Sequence, residues 1–122
     1  MITELKESAM KQINAIIQPH MLIKVEHALH ALPHFPGFTL LRAQGHSRIT
    51  ASGEVHYPIE WDMDEHDKIM LLIISSDEHA AQIVEVIRNN AHTGLPGDGL
   101  IWVCDVSQVM RIRTDECDKD AV

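Results

Sequence analysis

Three glycines punctuate the stretch Thr93-Gly94-Leu95-Pro96-Gly97-Asp98-Gly99-Leu100, which runs directly into the apolar segment Ile101-Trp102-Val103. Glycine reaches positive φ without a side-chain clash, and consecutive N–H groups in such a turn form a concavity suited to an anion. Downstream, Arg111-Ile112-Arg113-Thr114 carries two guanidinium groups one residue apart. They offer the planar, charge-assisted fork that recognises phosphate oxygens. Together the turn and the arginines suit a nucleotide polyphosphate. Taken alone, a Gly-x-Gly turn serves equally as a hairpin or a helix-to-strand loop, with the arginines on a surface strand.

Those residues need elements to hold them. Residues 12–18 alternate around Ile13, Ala15 and Ile17, with Ile16 on the other face, and end at Pro19: a strand. Leu22, Val25, Ala28, Leu29 and Leu32 recur at helical spacing and stop at Pro33. Gly37 reopens an extended segment from Phe38 to Gly45. Residues 46–67 have no sustained period, and Gly53 and Pro58 interrupt them, so they read as a long loop. Lys68 opens the run Ile69 to Ile74, a strand apolar on both faces. Ser75 and Glu78 have capping-box spacing ahead of a second helical stripe, Ala80, Ile83, Val84 and Ile87. Ile101 to Val106 is the last strand. This order predicts an α+β fold: a ferredoxin-like double βαβ unit with a four-stranded antiparallel sheet and a long loop between strands 2 and 3. Two helices cover one face of such a sheet, so a second copy of the chain is the simplest cover for the other.

At 122 residues, 45% hydrophobic, the chain suits one compact domain. No run approaches the roughly 18 apolar residues of a membrane span, and residues 1–10 lack the apolar core of a secretory signal. No membrane insertion and a cytoplasmic location are expected. A net charge of −8, from 10 basic and 18 acidic residues, argues against a nucleic-acid partner. Cys104 lies inside the last apolar strand and reads as a buried free thiol, with no disulfide to Cys117. His27 and His30 read as solvent-facing, Pro33 interrupts the His30 to His34 spacing, and His20, His79 and His92 have no partner nameable from the sequence.

From Met10 to Val122 the chain resembles the P-II signal-transduction family. Residues 11–19, Lys-Gln-Ile-Asn-Ala-Ile-Ile-Gln-Pro, resemble that family's opening strand; Thr93 to Val103 resembles its nucleotide-binding B-loop, and Arg111 to Thr114 its C-terminal arginine motif. The resemblance divides the chain into an N-terminal extension (residues 1–9) and one domain (10–122), with a T-loop at 46–67, a B-loop at 93–100 and a C-terminal segment at 110–122. It implies a homotrimer that binds ATP or ADP, with or without Mg²⁺, in clefts between subunits. By motif, the nucleotide residues are Gly37, Thr39, Gly45, Gly97, Asp98, Gly99, Arg111 and Arg113. Thr39 enters through Gly37-Phe38-Thr39, similar to the family's Gly-Met-Thr after a one-residue insertion. The T-loop would engage a target enzyme or membrane transporter, in nitrogen regulation by resemblance.

The departures are chemical. Leu95 and Leu100 stand where the B-loop pattern has lysines, which removes point charges from a polyphosphate site. Ile49 follows Arg48 where the family has a glutamine that helps hold Mg²⁺ and 2-oxoglutarate, and Trp61 stands where enteric members carry the uridylylated tyrosine, with Tyr57 four residues earlier. An isoleucine cannot ligate a hard cation and an indole has no hydroxyl. The first counts against 2-oxoglutarate sensing and the second against uridylylation. The loop instead carries His56, Asp62, Asp64 and His66, groups suited to a transition metal, which gives a second reading: a metal-responsive relative associated with metal efflux. A nucleotide hydrolase is a third. No nucleophile and base pair supports it, and Asp98 in a glycine turn reads as a turn or ligand-binding residue.

Overall fold

The computed structural model describes residues 9–46 and 66–122. Nearly all of the expected N-terminal extension and most of the long loop, with Ile49, His56, Tyr57, Trp61, Asp62 and Asp64, lie outside the described residues. The elements run β1 (Met10–Ile17), a 3-10 turn (Pro19–Met21), α1 (Leu22–His30), β2 (Thr39–Gln44), β3 (Asp67–Ser76), α2 (Asp77–Ala91), β4 (Gly99–Val106) and a second 3-10 turn (Asp118–Ala121). The sheet order is β2-β3-β1-β4 with every neighbouring pair antiparallel. Each helix therefore links two parallel strands with a strand of the other unit between them. This is the expected ferredoxin-like double βαβ arrangement.

Strand register explains which side is core. Ile13 lies opposite Ile73 and Val103, Ala15 opposite Leu71 and Ile101, and Ile17 opposite Ile69 and Gly99. Directly paired residues share a face. Ile13, Ala15, Ile17, Ile69, Leu71 and Ile73 are all buried there, against Val25 and Leu29 of α1 and Ala80, Ile83, Ile87 and Ala91 of α2. Burying each large aliphatic side chain contributes about 1.5–3 kcal/mol. α1 stops because Pro33 disfavours helical backbone at Leu32, and its last turn closes with Leu32 N–H donating to Leu29 O at 3.0 Å.

The other side of the sheet carries Ile16, Met70, Leu72 and Ile74, with Leu41, Leu100 and Trp102 from the two edge strands. Leu100 is 70% exposed and Leu41 48%. No described element covers this side. Asn14, at its centre, is buried, accepts from Gln12 Nε2 at 2.8 Å and approaches Cys104 Sγ at 4.0 Å.

Three local expectations are corrected. Cys104 is exposed, because β4 is an edge strand and Cys104 lies on its uncovered side. Ser75 forms no capping box with Glu78; it is a buried strand residue whose hydroxyl donates to Ser76 O at 3.0 Å. Ser76 is the N-cap, without a side-chain bond, and Asp77 N–H donates to Ala9 O at 2.8 Å. β3 also runs longer than Ile69 to Ile74, extending from Asp67 to Ser76 because β2 pairs with it at Asp67 and Lys68 and β1 at Ser75 and Ser76.

Lys11 ties three elements together. Its ammonium donates to Asp105 of β4 and lies 3.6 Å from Asp77 at the start of α2. The hydrogen bond to Asp105 is the main reason its pKa lies above the ordinary value; lost hydration opposes it, and the charges of Asp105 and Asp77 add to it. A raised pKa means stabilisation that is complete below the unfolded-chain value and fades as pH rises through the folded one. Lys11→Met is expected to melt at a lower temperature than wild type at pH 8. The gap should narrow above pH 10.5, the unfolded value, which calorimetric melts at pH 8 and pH 11 will measure.

Candidate functional site

α2 ends at Ala91 and β4 begins at Gly99, so the glycine turn spans the gap between them. Asp98 organises it from within. Its carboxylate accepts from the N–H of Thr93 at 2.8 Å, the N–H of Gly94 at 3.0 Å and the Thr93 hydroxyl. Leu95 N–H in turn donates to Thr93 Oγ1 at 3.2 Å. Amides that the sequence offers to an external anion are thus directed inward at Thr93, Gly94 and Leu95. The carboxylate that holds them is a structural acceptor. Two glycines are required sterically: Gly97 has φ of 96° while its carbonyl accepts from Gln18 Nε2 at 3.0 Å, and a Cβ on Gly99 would lie 1.7 Å from Ile16 O.

Facing this turn across a cleft of about 500 Å³ are Gly45, His46 and Lys68, with Ile16 at the floor. Gly45 N–H donates to His66 O at 2.8 Å and the buried His66 ring bonds Gly45 O through Nδ1 at 3.1 Å, which joins the ends of the long loop. Gly45 has ordinary φ. Its lack of a side chain makes room for Lys68, whose Cγ would lie 3.2 Å from a Cβ there.

Of the nucleotide residues expected by motif, Gly45, Gly97, Asp98 and Gly99 therefore meet at one cleft, and Gly37, Thr39, Arg111 and Arg113 do not line it. Gly37 has φ of 93° just before β2, and Thr39 is that strand's exposed first residue. Arg111 and Arg113 sit on a hairpin closed by the Met110 to Cys117 bridge and by Arg111 N–H donating to Glu116 O at 2.8 Å. A latch holds the hairpin: Asp118 N–H donates to Val109 O at 2.8 Å and Val109 N–H to Asp118 Oδ1 at 3.1 Å. Both guanidinium groups are exposed, and neither pairs with an acid among the described residues. Ile112 between them is 97% exposed.

Lys68 was missed by sequence reasoning. The signal was present: it is the lone cation opening an otherwise apolar strand, directly after the long loop. Of the four loop residues expected to hold a metal, only His66 is described, and it packs against Gly45 with its ring 5.4 Å from that of His46. No three His, Cys, Asp or Glu side chains converge as a metal site among the described residues.

Partial burial raises the Asp98 carboxyl, but the Thr93 hydroxyl and the Thr93 and Gly94 amides outweigh it and hold the pKa below the ordinary carboxyl value. A depressed pKa gives stabilisation present above the unfolded value and lost as pH falls through the folded one. Asp98→Asn is expected to speed hydrogen exchange of the Thr93 and Gly94 amides at neutral pH. In the wild-type chain the turn should hold until the pH falls below 3.8.

Comparison with known proteins accords with this geometry. The family model described as Nitrogen regulatory protein P-II matches residues 10–116. A Nitrogen regulatory protein P-II from Rhizobium meliloti is 39% identical over 113 residues, covering 93% of this chain and all of the relative. One from Azospirillum brasilense is 37% identical with the same coverage. The crystal structure of Arabidopsis thaliana PII bound to citrate superposes with a TM-score of 0.73 at 25% identity, covering 93% of this chain and 90% of that one. The chain belongs to the P-II nitrogen regulatory family, and is a signal-transduction regulator rather than an enzyme.

Proposed function

We propose that this chain acts as a homotrimer in the cytoplasm, binds ATP or ADP in clefts between its subunits, and controls a target enzyme or membrane transporter through residues 46–67. The observation that carries this reading is a separation within one chain. The cleft lined by Gly45, Lys68, Gly97 and Gly99 lacks the arginines, while Arg111 and Arg113 stand exposed on a latched hairpin, with no acidic partner among the described residues. Association through the uncovered apolar side of the sheet would bring one chain's arginines to another chain's cleft. It would also bury Leu100 and Trp102, both exposed in the single chain.

In this reading Lys68 supplies part of the charge that Leu95 and Leu100 do not. The B-loop contributes backbone and close approach. The cleft adjoins both ends of the long loop, at Gly45–His46 and His66–Lys68, so an occupant touching Gly45 and Lys68 biases the loop's arrangement by its differential contacts. That bias is the signal read by the target. The departure at Ile49 supports adenine nucleotide as the input in preference to 2-oxoglutarate.

Calorimetric titration with ATP and ADP, each with and without Mg²⁺ and 2-oxoglutarate, tests the proposal. Binding is expected, weakened at least tenfold in Arg111→Ala/Arg113→Ala and in Lys68→Ala, and indifferent to 2-oxoglutarate. No binding of either nucleotide would sink it. Leu100→Lys restores a charge-assisted contact worth about 1.5–3 kcal/mol, so ATP affinity should rise tenfold or more.

A further inference from the structure

On the far side of the fold from the glycine turn, a separate cavity of about 260 Å³ lies between the start of α2, the chain after Pro33 and the C-terminal 3-10 turn. Two imidazoles share its wall. His34 and His79 stack with ring centroids 5.7 Å apart and planes inclined by 21°. They are far apart in sequence and are brought together by backbone geometry: His34 has φ of 61°, a left-handed turn just after Pro33, and His79 lies in the first turn of α2. Glu78 and Asp120 line the same cavity, and Glu78 Oε1 lies 3.4 Å from His79 Nε2. Lys119 also lines it. Its flexible stem lets the ammonium turn to solvent.

We propose that His34 and His79 bind a borderline divalent transition ion, with Glu78 and Asp120 as its oxygen ligands. Two neutral imidazole nitrogens with carboxylate oxygens are a donor set for zinc, nickel or cobalt, and a poor one for Mg²⁺ or Ca²⁺, which take oxygen ligands. The four side chains do not already surround a common point, since no three such groups converge among the described residues. Glu78, His34 and Asp120 are exposed, so their side chains turn inward at small cost when the ion arrives. The site spans two parts of the chain. Asp120 lies two residues after Asp118, which latches the hairpin of Arg111 and Arg113, so the ion clamps that C-terminal segment to the body of the fold.

The test uses the full chain and Zn²⁺. Calorimetric titration is expected to find a zinc site whose affinity falls at least tenfold in His34→Asn/His79→Gln. Asparagine tolerates the left-handed backbone of position 34, so the variant keeps the turn. His56→Ala is expected to leave this site's affinity within threefold of wild type, and millimolar Mg²⁺ should not displace the zinc. Nickel-induced broadening of the His34 and His79 ring signals in the unmodified protein reads the same site without any substitution. Zinc affinity in the double variant within tenfold of wild type, or no broadening at those two rings, overturns the proposal.

Discussion

Everything at the cleft depends on a hydrogen atom at Gly99 where any other residue would carry a carbon. A Cβ there would lie 1.7 Å from the carbonyl oxygen of Ile16, so β4 can begin beside β1 in this register only with glycine. The pairing of Ile17 with Gly99 carries the preceding turn to the end of β1, where Gln18 fastens Gly97. On the other edge of β1 the pairing of Ile17 with Ile69 brings the next residue, Lys68, to the same end of the sheet. β2 enters through its pairing of Ala43 with Lys68, which sets Gly45 just beyond. Four segments distant in sequence thus converge because one central strand fixes the register of both neighbours.

The same central strand divides the molecule into a finished side and an unfinished one. Toward the helices, Ile13, Ala15 and Ile17 are fully enclosed; away from them, Ile16, Leu72 and Trp102 meet no further layer among the described residues. Each large side chain buried by association would contribute about 1.5–3 kcal/mol. Asn14 and Gln12 set a condition on that association, since they sit among these apolar groups and an orphaned amide would cost about as much as a buried aliphatic contributes. Their mutual hydrogen bond, with Cys104 beside it, already satisfies part of that requirement. The side is therefore apolar enough to drive association and polar enough at its centre to specify how.

The fold was legible because its signals are local. Alternation around Ile13, Ala15 and Ile17, the helical stripe ending at Pro33 and the unbroken run from Ile69 each reflect a period that side-chain burial enforces. Cys104 was misread because its apolar neighbours say nothing about whether a strand lies at an edge or at the centre; that depends on sheet order, a non-local property. Ser75 failed for a related reason. β1 pairs with β3 as far as Ser76, so the strand consumes the residue that the capping-box spacing reserves for the helix. At the site, the glycines were legible as turn residues, but the direction of Asp98 was not. Whether a carboxylate in such a turn faces a ligand or its own backbone is decided by which amides lie within reach. Lys68 and the stacking of His34 on His79 were hidden for the plainest reason: their partners lie elsewhere in the chain.

Charge placement around the cleft differs from the charge total of the chain. The chain is net negative by 8, a balance that repels a polyphosphate at long range. Two arrangements offset this locally. Asp98 spends its charge on the amides of Thr93 and Gly94, so the one carboxylate in the glycine turn faces inward and its field is largely met by aligned N–H dipoles. Lys68, Arg111 and Arg113 are placed in the opposite way: Lys68 lines the cleft wall, and both arginines stand exposed on a hairpin, forming no ion pair among the described residues. Replacing lysines by Leu95 and Leu100 then has a specific consequence. The turn itself becomes apolar at both ends and contributes shape and backbone, while the cationic work moves to residues outside it. In the proposed assembly an anion that reached only the turn would meet little charge, whereas one long enough to touch Lys68 and a neighbouring chain's arginines would meet more of it.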